Sequence, residues 1–198
     1  MFESDIQLKA GLPSLGKYTI GNDFASIMIN QILTQRPRLI VEAGSGVSTI
    51  LAAYCFEQLG HGILRSLEHL VEYANETKNM IRQHKLETVD AKIIFSPLRQ
   101  YEICGEDYLW YSMNKLDIPT QIDMLIVDGP PRLTGKLARY PILPLLYEKL
   151  STSATILLDD ANRLDESEIV DRWLHEYPNL RSQRFATEKG AVLFSLSC

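Results

Sequence analysis

Residues 42–46 form a glycine-rich turn, Glu-Ala-Gly-Ser-Gly, between an apolar run and a helical pattern. Gly44 and Gly46 lie two positions apart, so the backbone can turn tightly and a ligand can come close to it. The start of the following helix offers free amide groups to a carboxylate or a phosphate. Such turns also occur without any ligand, and the pattern alone leaves both interpretations open.

Two residues around this turn distinguish between ligand classes. Thr49 replaces the third glycine of a dinucleotide fingerprint, and Glu42 precedes the glycines, where its charge would repel a pyrophosphate. A carboxylate there suits a cationic ligand. Glu68 lies about 22 residues beyond Gly46 at the end of a second apolar run, the spacing at which an acid binds ribose hydroxyl groups. An acid in such a place is otherwise an ordinary neighbour of a helix start.

Carboxylates also follow two later apolar runs. Asp128 begins the sequence Asp-Gly-Pro-Pro, and Asp159 and Asp160 end the next run. At one edge of a parallel sheet the three would repel one another, and a divalent cation or a shared proton is the usual remedy. A turn stabilised by its own side chain is the alternative at Asp128. Arg132 and Arg139 could bind an acidic substrate, but we expect them to pair with these carboxylates.

The elements that must position these residues alternate between strands and helices. Apolar runs predict strands and 3.6-residue periodicity predicts helices, while a four-residue connection near the C-terminus predicts an antiparallel hairpin. We therefore predict an α/β fold, Rossmann-like and doubly wound, with a mostly parallel seven-stranded sheet and a C-terminal antiparallel hairpin. Strands are predicted at 38–43, 63–68, 91–95, 122–127, 154–158, 180–186 and 191–196, and helices at 22–34, 47–59, 71–84, 135–150 and 166–175.

The connection between the third and fourth strands is long, and residues 101–111 are rich in aromatic side chains. Long connections usually have a functional reason, so this segment could line a substrate pocket. It could equally form a hydrophobic cluster that covers the sheet. The chain has no internal repeat or linker. We therefore predict a single domain over residues 1–198, with an N-terminal cap or lid at 1–35 and a Rossmann-like core at 36–198.

The composition limits the class of protein. The 198 residues are 45% hydrophobic and 23% charged, with a net charge of −5, so nucleic acid is an unlikely partner. The three cysteines include no Cys-x-x-Cys spacing, which favours reduced thiols. No stretch has the length of a signal peptide or a membrane span. We expect a cytoplasmic protein without membrane contact, and a homo-oligomer is left open.

Together these motifs resemble the class I S-adenosylmethionine-dependent methyltransferases, and especially a bacterial methyltransferase-domain group similar to small-molecule O-methyltransferases. The resemblance extends from about residue 36 to the C-terminus. The motifs that carry it appear in the family's order and at the family's spacing. They are residues 40–46, 67–69 with 72–73, 122–131, 139–141 and 156–161.

The resemblance implies that S-adenosylmethionine is the cofactor, with its methionine part at the glycine turn and its ribose at Glu68. The adenine would lie at the end of the third strand, where the family commonly has an acid that this sequence lacks. The implied cofactor-binding residues are Glu42, Ala43, Gly44, Ser45, Gly46, Ser48, Thr49, Glu68, His69, Ser96, Pro97, Leu98 and Asp128.

The resemblance also bears on catalysis. Metal-dependent small-molecule O-methyltransferases hold magnesium with an acid after the fourth strand and an Asp-Asn pair after the fifth. Asp128 and Asp160 match this pattern, whereas Ala161 stands where the asparagine would be. Asp128 and Asp160 are thus the candidate magnesium ligands and the candidate catalytic bases.

We therefore expect methyl transfer to a small-molecule or glycan-type acceptor by in-line displacement. An NAD(P)-dependent oxidoreductase is one alternative, which Glu42, Thr49 and the terminal hairpin disfavour. A non-catalytic cofactor-binding or scaffold protein is the other, and the sequence does not separate it from an enzyme.

Overall fold

The computed structural model describes residues 6, 8–11 and 20–196. The predicted N-terminal cap at 1–35 therefore lies partly outside the described residues. Within the described part, no helix has both the length and the apolar character needed to cross a membrane.

Seven strands form the central sheet in the order β3-β2-β1-β6-β7-β9-β8. The first five in this order run parallel, and β9 is antiparallel to both of its neighbours. The predicted α/β fold with its C-terminal antiparallel hairpin is confirmed. The strands are β1 (Leu39–Ala43), β2 (Ile63–Glu68), β3 (Asp90–Phe95), β4 (Leu98–Ile103), β5 (Glu106–Tyr111), β6 (Ile122–Val127), β7 (Leu150–Asp159), β8 (Leu180–Phe185) and β9 (Ala191–Leu196).

The central strands are apolar because helices cover both faces of the sheet. Successive residues of a strand point to opposite faces, and in β1 Ile40 joins one hydrophobic core cluster while Val41 joins the other. The cluster around Ile40 includes side chains of α1, α2 and α3, and the cluster around Val41 includes side chains of α4 and α5. The helices are α1 (Asn22–Gln35), α2 (Val47–Leu59), α3 (Val71–Gln83), α4 (Ile142–Leu146) and α5 (Leu164–Glu176).

The prediction of one helix over residues 135–150 is wrong. A single 3-10 turn forms at Arg132–Thr134, α4 has only five residues, and another 3-10 turn at Tyr147–Lys149 follows it. Proline is tolerated in the first turn of a helix but not in its interior. Pro141 and Pro144 therefore allow a helix to begin only at α4, which leaves the preceding residues in turns.

The aromatic connection contains a second, two-stranded sheet of β4 and β5 that the prediction missed. Its two-residue loop is Cys104-Gly105, and both residues have positive φ, 54° and 80°, as a type I′ hairpin turn requires. Trp110 and Tyr111 are buried in a core cluster. Of the two interpretations offered by the sequence, Trp110 fits the hydrophobic cover, whereas Tyr111 also borders predicted site residues, with its ring 5.9 Å from that of His69.

Candidate functional site

The predicted site residues come together at the edge of the sheet where the parallel strands end. The glycine turn joins β1 to α2, and Gly44 and Gly46 have φ values of 103° and 150°, which other residues rarely adopt. The turn is fixed to its neighbours, since the Gly44 amide donates to the Leu67 carbonyl at 2.9 Å and the Asp128 amide donates to the Ala43 carbonyl at 3.1 Å.

Glu42 is fully buried directly below this turn. Its Oε2 atom accepts hydrogen bonds from the hydroxyls of Thr49 at 2.7 Å and Ser66 at 2.5 Å. The other carboxylate oxygen, Oε1, is buried and has no hydrogen-bond partner. Burial raises the pKa of Glu42 to about 7, against the opposing effect of the neighbouring hydroxyls. The Ser48 hydroxyl lies near enough to the carboxylate to lower its pKa, yet no group of the described chain makes a hydrogen bond to Oε1. A donor or a cation from outside the chain can therefore take that place.

Thr49 forms two hydrogen bonds that could not be predicted from its position in the motif. Its hydroxyl accepts the Gly46 amide at 3.0 Å while donating to Glu42. The residue that replaces the third glycine of a dinucleotide fingerprint thus joins the start of α2 to the buried glutamate. Ser66 is the second residue whose hydroxyl donates to Glu42. It lies on β2, level with Glu42 in the strand register, and the sequence did not indicate it.

Glu68 ends β2 and is also buried. One of its oxygens accepts the Leu70 amide at 3.0 Å and lies 3.0 Å from the His69 ring nitrogen Nδ1. The other accepts the Ser45 hydroxyl at 3.3 Å. Ser45 therefore connects the glycine turn to Glu68, as a site shared by one ligand requires. We call Glu42 and Glu68 the glutamate pair.

The end of β3 lies beside Glu68, because the Ser96 amide donates to the Glu68 carbonyl at 2.7 Å. The Ser96 hydroxyl oxygen is buried and has no partner. Pro97 is exposed, whereas Leu98 packs against the core. Of the three residues predicted here, Leu98 is used for core packing, whereas the side chains of Ser96 and Pro97 are not.

Three aspartates, Asp128, Asp159 and Asp160, meet at the ends of β6 and β7, with one ligand atom of each within 4.8 Å of the others. We call them the aspartate cluster. Asp160 has a positive φ of 60°, and its amide donates to the Asp159 carboxylate at 2.8 Å. Aspartate tolerates this conformation better than most residues do. Nine-tenths or more of Asp159 and Asp160 is buried, while the Asp128 side chain is 27% exposed.

Two arginines neutralise the aspartate cluster. Nη2 of Arg139 lies 3.2 Å from Oδ1 of Asp128 and 2.7 Å from Oδ2 of Asp160, so the expected pairing of Arg139 with these carboxylates is found. Nη1 of Arg163 lies 2.7 Å from the same Asp160 oxygen. Arg163 is a residue of this cluster that the sequence did not indicate, because it lies in the turn after Asp160, where its amide donates to the Asp160 carbonyl at 2.9 Å.

Burial is the main influence on the acids of this cluster. It raises the pKa of Asp128, an effect that Arg139 opposes and Asp160 reinforces. It raises the pKa of Asp159 to about 7, with the carboxylates of Asp128 and Asp160 adding to the shift. Asp159 thus holds a proton for part of the time near neutral pH, which is the shared-proton remedy considered from the sequence.

Tyr111 lies between the glutamate pair and the aspartate cluster. A side chain at Gly129 would place its Cβ atom 2.4 Å from the Tyr111 hydroxyl oxygen, so any other residue at position 129 would have to displace the Tyr111 ring. Burial raises the pKa of Tyr111 well above its usual value, and the nearby charges of Glu68 and Asp128 raise it further. The hydroxyl therefore stays protonated at neutral pH.

A divalent ion fits the aspartate cluster poorly. Asp128 and Asp160 do come together as the magnesium prediction requires, and Asp159 is available as a third acid. However, one oxygen of each predicted ligand already lies against a guanidinium nitrogen. Oδ1 of Asp160 is buried without a hydrogen-bond partner, but a cation placed there or on the paired oxygens would lie close to two guanidinium groups and would be repelled at short range. We derive no step through a metal ion.

No protein-family model matches the chain, and no curated protein sequence matches it. Solved structures do. An O-methyltransferase from Bacillus cereus in complex with SAH is 15% identical, with a TM-score of 0.66, and the match covers 99% of this chain and 96% of that one.

Two further structures are similar to the same degree. The O-methyltransferase TomG from Streptomyces achromogenes, involved in tomaymycin synthesis and in complex with SAM, is 14% identical with a TM-score of 0.67, and the match covers 93% of this chain and 84% of that one. The SAH-bound Podospora anserina methyltransferase PaMTH1 is 15% identical with a TM-score of 0.67 and coverages of 91% and 81%. The chain therefore has the fold of the class I S-adenosylmethionine-dependent methyltransferases.

Proposed function

We propose that the chain is an S-adenosylmethionine-dependent methyltransferase that acts on a hydroxyl group of a small-molecule or glycan-type acceptor. The observation that carries the proposal is the unpartnered Oε1 of Glu42, buried directly below the glycine turn. A buried carboxylate oxygen without a partner is costly. The ammonium group of the cofactor's methionine part offers both the charge and the N–H donors that this oxygen lacks.

The glutamate pair supports the same ligand. Gly44 and Gly46 carry no side chain that would keep a ligand away from the backbone of the turn. Glu68 ends the next strand, where its carboxylate can accept hydrogen bonds from ribose hydroxyls. Its contact with Ser45 is long, 3.3 Å, so the serine hydroxyl gives way to a stronger donor at little cost.

The aspartate cluster supports transfer to a hydroxyl. A bound sulfonium supplies an already activated methyl group, so the protein mainly has to hold the acceptor oxygen about 3 Å away and in line with the leaving sulfur. Asp128 is the cluster's most exposed acid, and its raised pKa suits a group that accepts the hydroxyl proton as the new carbon–oxygen bond forms. Asp160 acts behind it, by holding the Arg139 guanidinium that orients Asp128.

Calorimetry distinguishes this proposal from an NAD(P)-dependent oxidoreductase. We expect SAH to bind in the micromolar range and NAD not to bind, because Glu42 lies where a pyrophosphate would approach. Methylthioadenosine, which lacks the amino-acid part, should bind more weakly than SAH. Micromolar binding of NAD without binding of SAH would refute the proposal.

A second experiment separates an enzyme from a non-catalytic cofactor-binding protein. The chain is incubated with methyl-labelled S-adenosylmethionine and fractionated pools of small metabolites and oligosaccharides, and label transfer to each pool is measured. Asp128→Asn is the matched control, because it keeps the side-chain volume and removes the base. Label transfer that Asp128→Asn greatly reduces supports the enzyme.

A further inference from the structure

We propose that Arg139 takes the place that a divalent cation has in metal-dependent O-methyltransferases, so that this chain transfers methyl groups without a metal ion. The inference rests on the proposed function for its catalytic part. Its structural part, that the aspartate cluster holds a guanidinium in place of a metal, stands on the geometry of the cluster alone.

The position of Arg139 is that of a bridging cation. Its guanidinium is 3% exposed, and a single nitrogen, Nη2, contacts Asp128 at 3.2 Å and Asp160 at 2.7 Å. These two carboxylates end neighbouring parallel strands, β6 and β7. A metal ion shared by the two acids would have the same neighbours and would also offset their charges, with two positive charges instead of one.

The rest of the guanidinium is also held, so Arg139 cannot easily leave the cluster to a metal. Nη1 donates to the main-chain carbonyl of Asp159 at 2.9 Å, and Nε makes no hydrogen bond but lies 3.7 Å from the buried carboxylate of Glu166. All three nitrogens thus face oxygens of β7, α5 or the Asp128 turn. Arg163 adds a second permanent charge on Asp160.

The two kinds of cation differ in one way that bears on catalysis. A guanidinium directs its hydrogen bonds in a plane and leaves the carboxylates' other oxygens free, whereas a divalent ion draws in six or more ligands, including water. Arg139 contacts only Oδ1 of Asp128. The second oxygen of Asp128 therefore stays available to an acceptor hydroxyl.

The test measures metal binding without cofactor or acceptor. Binding of Mn²⁺ to the full chain is followed by electron paramagnetic resonance, and the wild type is expected to show no site in the submillimolar range. Arg139→Met removes the charge and keeps much of the length, and it should bind Mn²⁺ at least about tenfold more tightly than the wild type, because Asp128 then has no guanidinium partner and Asp160 keeps only Arg163. Adding Asp128→Asn to Arg139→Met should abolish the new site.

Arg172→Met is the matched control, since Arg172 also pairs with two carboxylates, Glu106 and Glu176, but no third acid joins them in the described part of the chain. It should gain no Mn²⁺ site. A submillimolar Mn²⁺ site in the wild type, or a folded Arg139→Met that gains none, would overturn the proposal. If Arg139→Met does not fold, the wild-type measurement decides.

Failure of the proposed function would be seen in a different measurement, as the absence of SAH binding in calorimetry. Once an acceptor is known, a chelator should leave turnover of the wild type unchanged. Loss of turnover with the chelator and its return with magnesium would overturn the catalytic part of the inference.

Discussion

The glutamate pair and the aspartate cluster are both buried groups of acids at the same edge of the sheet, yet their charges are compensated differently. Hydroxyls, a backbone amide and, at Glu68, the His69 ring surround the glutamate pair, and among the described residues no arginine or lysine lies within ion-pair distance of it. Two arginines hold the aspartate cluster. One region therefore carries its counter-charge permanently, while the other leaves it to be supplied from outside.

This difference matches the two tasks of the proposed methyltransferase. The ammonium group of the cofactor arrives with S-adenosylmethionine and leaves with SAH in each turnover, so its counter-charge cannot be occupied by a side chain of the protein. A base that meets a neutral acceptor needs a constant orientation, which a buried guanidinium provides. The pKa of Glu42, raised to about 7 by burial, is a consequence of the first arrangement.

The largest expected effect comes from the aspartate cluster. Asp128→Asn should lower kcat by about 100- to 10,000-fold, the usual contribution of a general base, and leave SAH affinity nearly unchanged. Steady-state kinetics on an identified acceptor, with calorimetry for SAH, measure the two quantities. Asp171→Asn, on the exposed side of α5, is the control. Full turnover by Asp128→Asn would mean that catalysis depends on proximity alone.

Glu42→Gln tests the other region and should weaken SAH binding by roughly 30- to 100-fold, corresponding to the ~2–3 kcal/mol of a charge-assisted hydrogen bond. Glutamine keeps the shape and the contacts with Thr49 and Ser66 but not the charge. Calorimetry measures the affinity, and thermal unfolding checks the fold. Glu76→Gln on the exposed side of α3 is the control, and unchanged SAH affinity in a folded Glu42→Gln would exclude an ammonium contact.

Glu68→Ala should weaken SAH binding by about tenfold, within the ~1–3 kcal/mol expected for loss of a charged hydrogen-bond acceptor. The effect is smaller than at Glu42 because ribose hydroxyls are neutral. Glu87→Ala, at an exposed position before β3, is the control in the same titration. A folded Glu68→Ala with wild-type affinity would show that Glu68 serves only to hold Ser45 and the Leu70 amide.

The sequence was sufficient to predict the sheet and most of this edge, for a physical reason. Strand ends in a parallel sheet meet at one edge, so Glu42, Glu68, Asp128 and Asp160 could be placed together from apolar runs alone. Partners that come from another strand or from a later turn follow no such rule. The contact of the Ser66 hydroxyl with Glu42 depends on the register of β1 and β2. The contact of Arg163 with Asp160 depends on the path of the turn after β7. Local sequence patterns determine neither.

The missed hairpin of β4 and β5 is a different kind of error. Its turn signal, a two-residue loop ending in glycine between alternating side chains, was present at Cys104-Gly105. The spacing of the aromatic residues in this segment is also typical of strands. The wrong helix at 135–150 had a different cause: its apolar periodicity indicates one helix that Pro141 and Pro144 should kink or delay, whereas the structure confines the helix to α4.

The last expected effect, similar in size to that of Glu68→Ala, is a pH dependence that belongs to the glutamate pair alone. Below about pH 7 Glu42 in the free protein is mostly protonated, and an ammonium ligand binds only the ionised form. SAH affinity should therefore rise with pH through 7 and level off above it, with a difference of roughly tenfold between pH 6 and pH 8.

Asp159 also titrates near pH 7, so the wild-type profile alone does not identify the group. In Glu42→Gln the aspartate cluster is intact, and the SAH profile should become flat between pH 6 and pH 8. A profile that keeps its tenfold slope in Glu42→Gln would assign the pH dependence to the aspartate cluster. The two regions would then be coupled through the buried Tyr111 between them, and the separation of their charges would be lost.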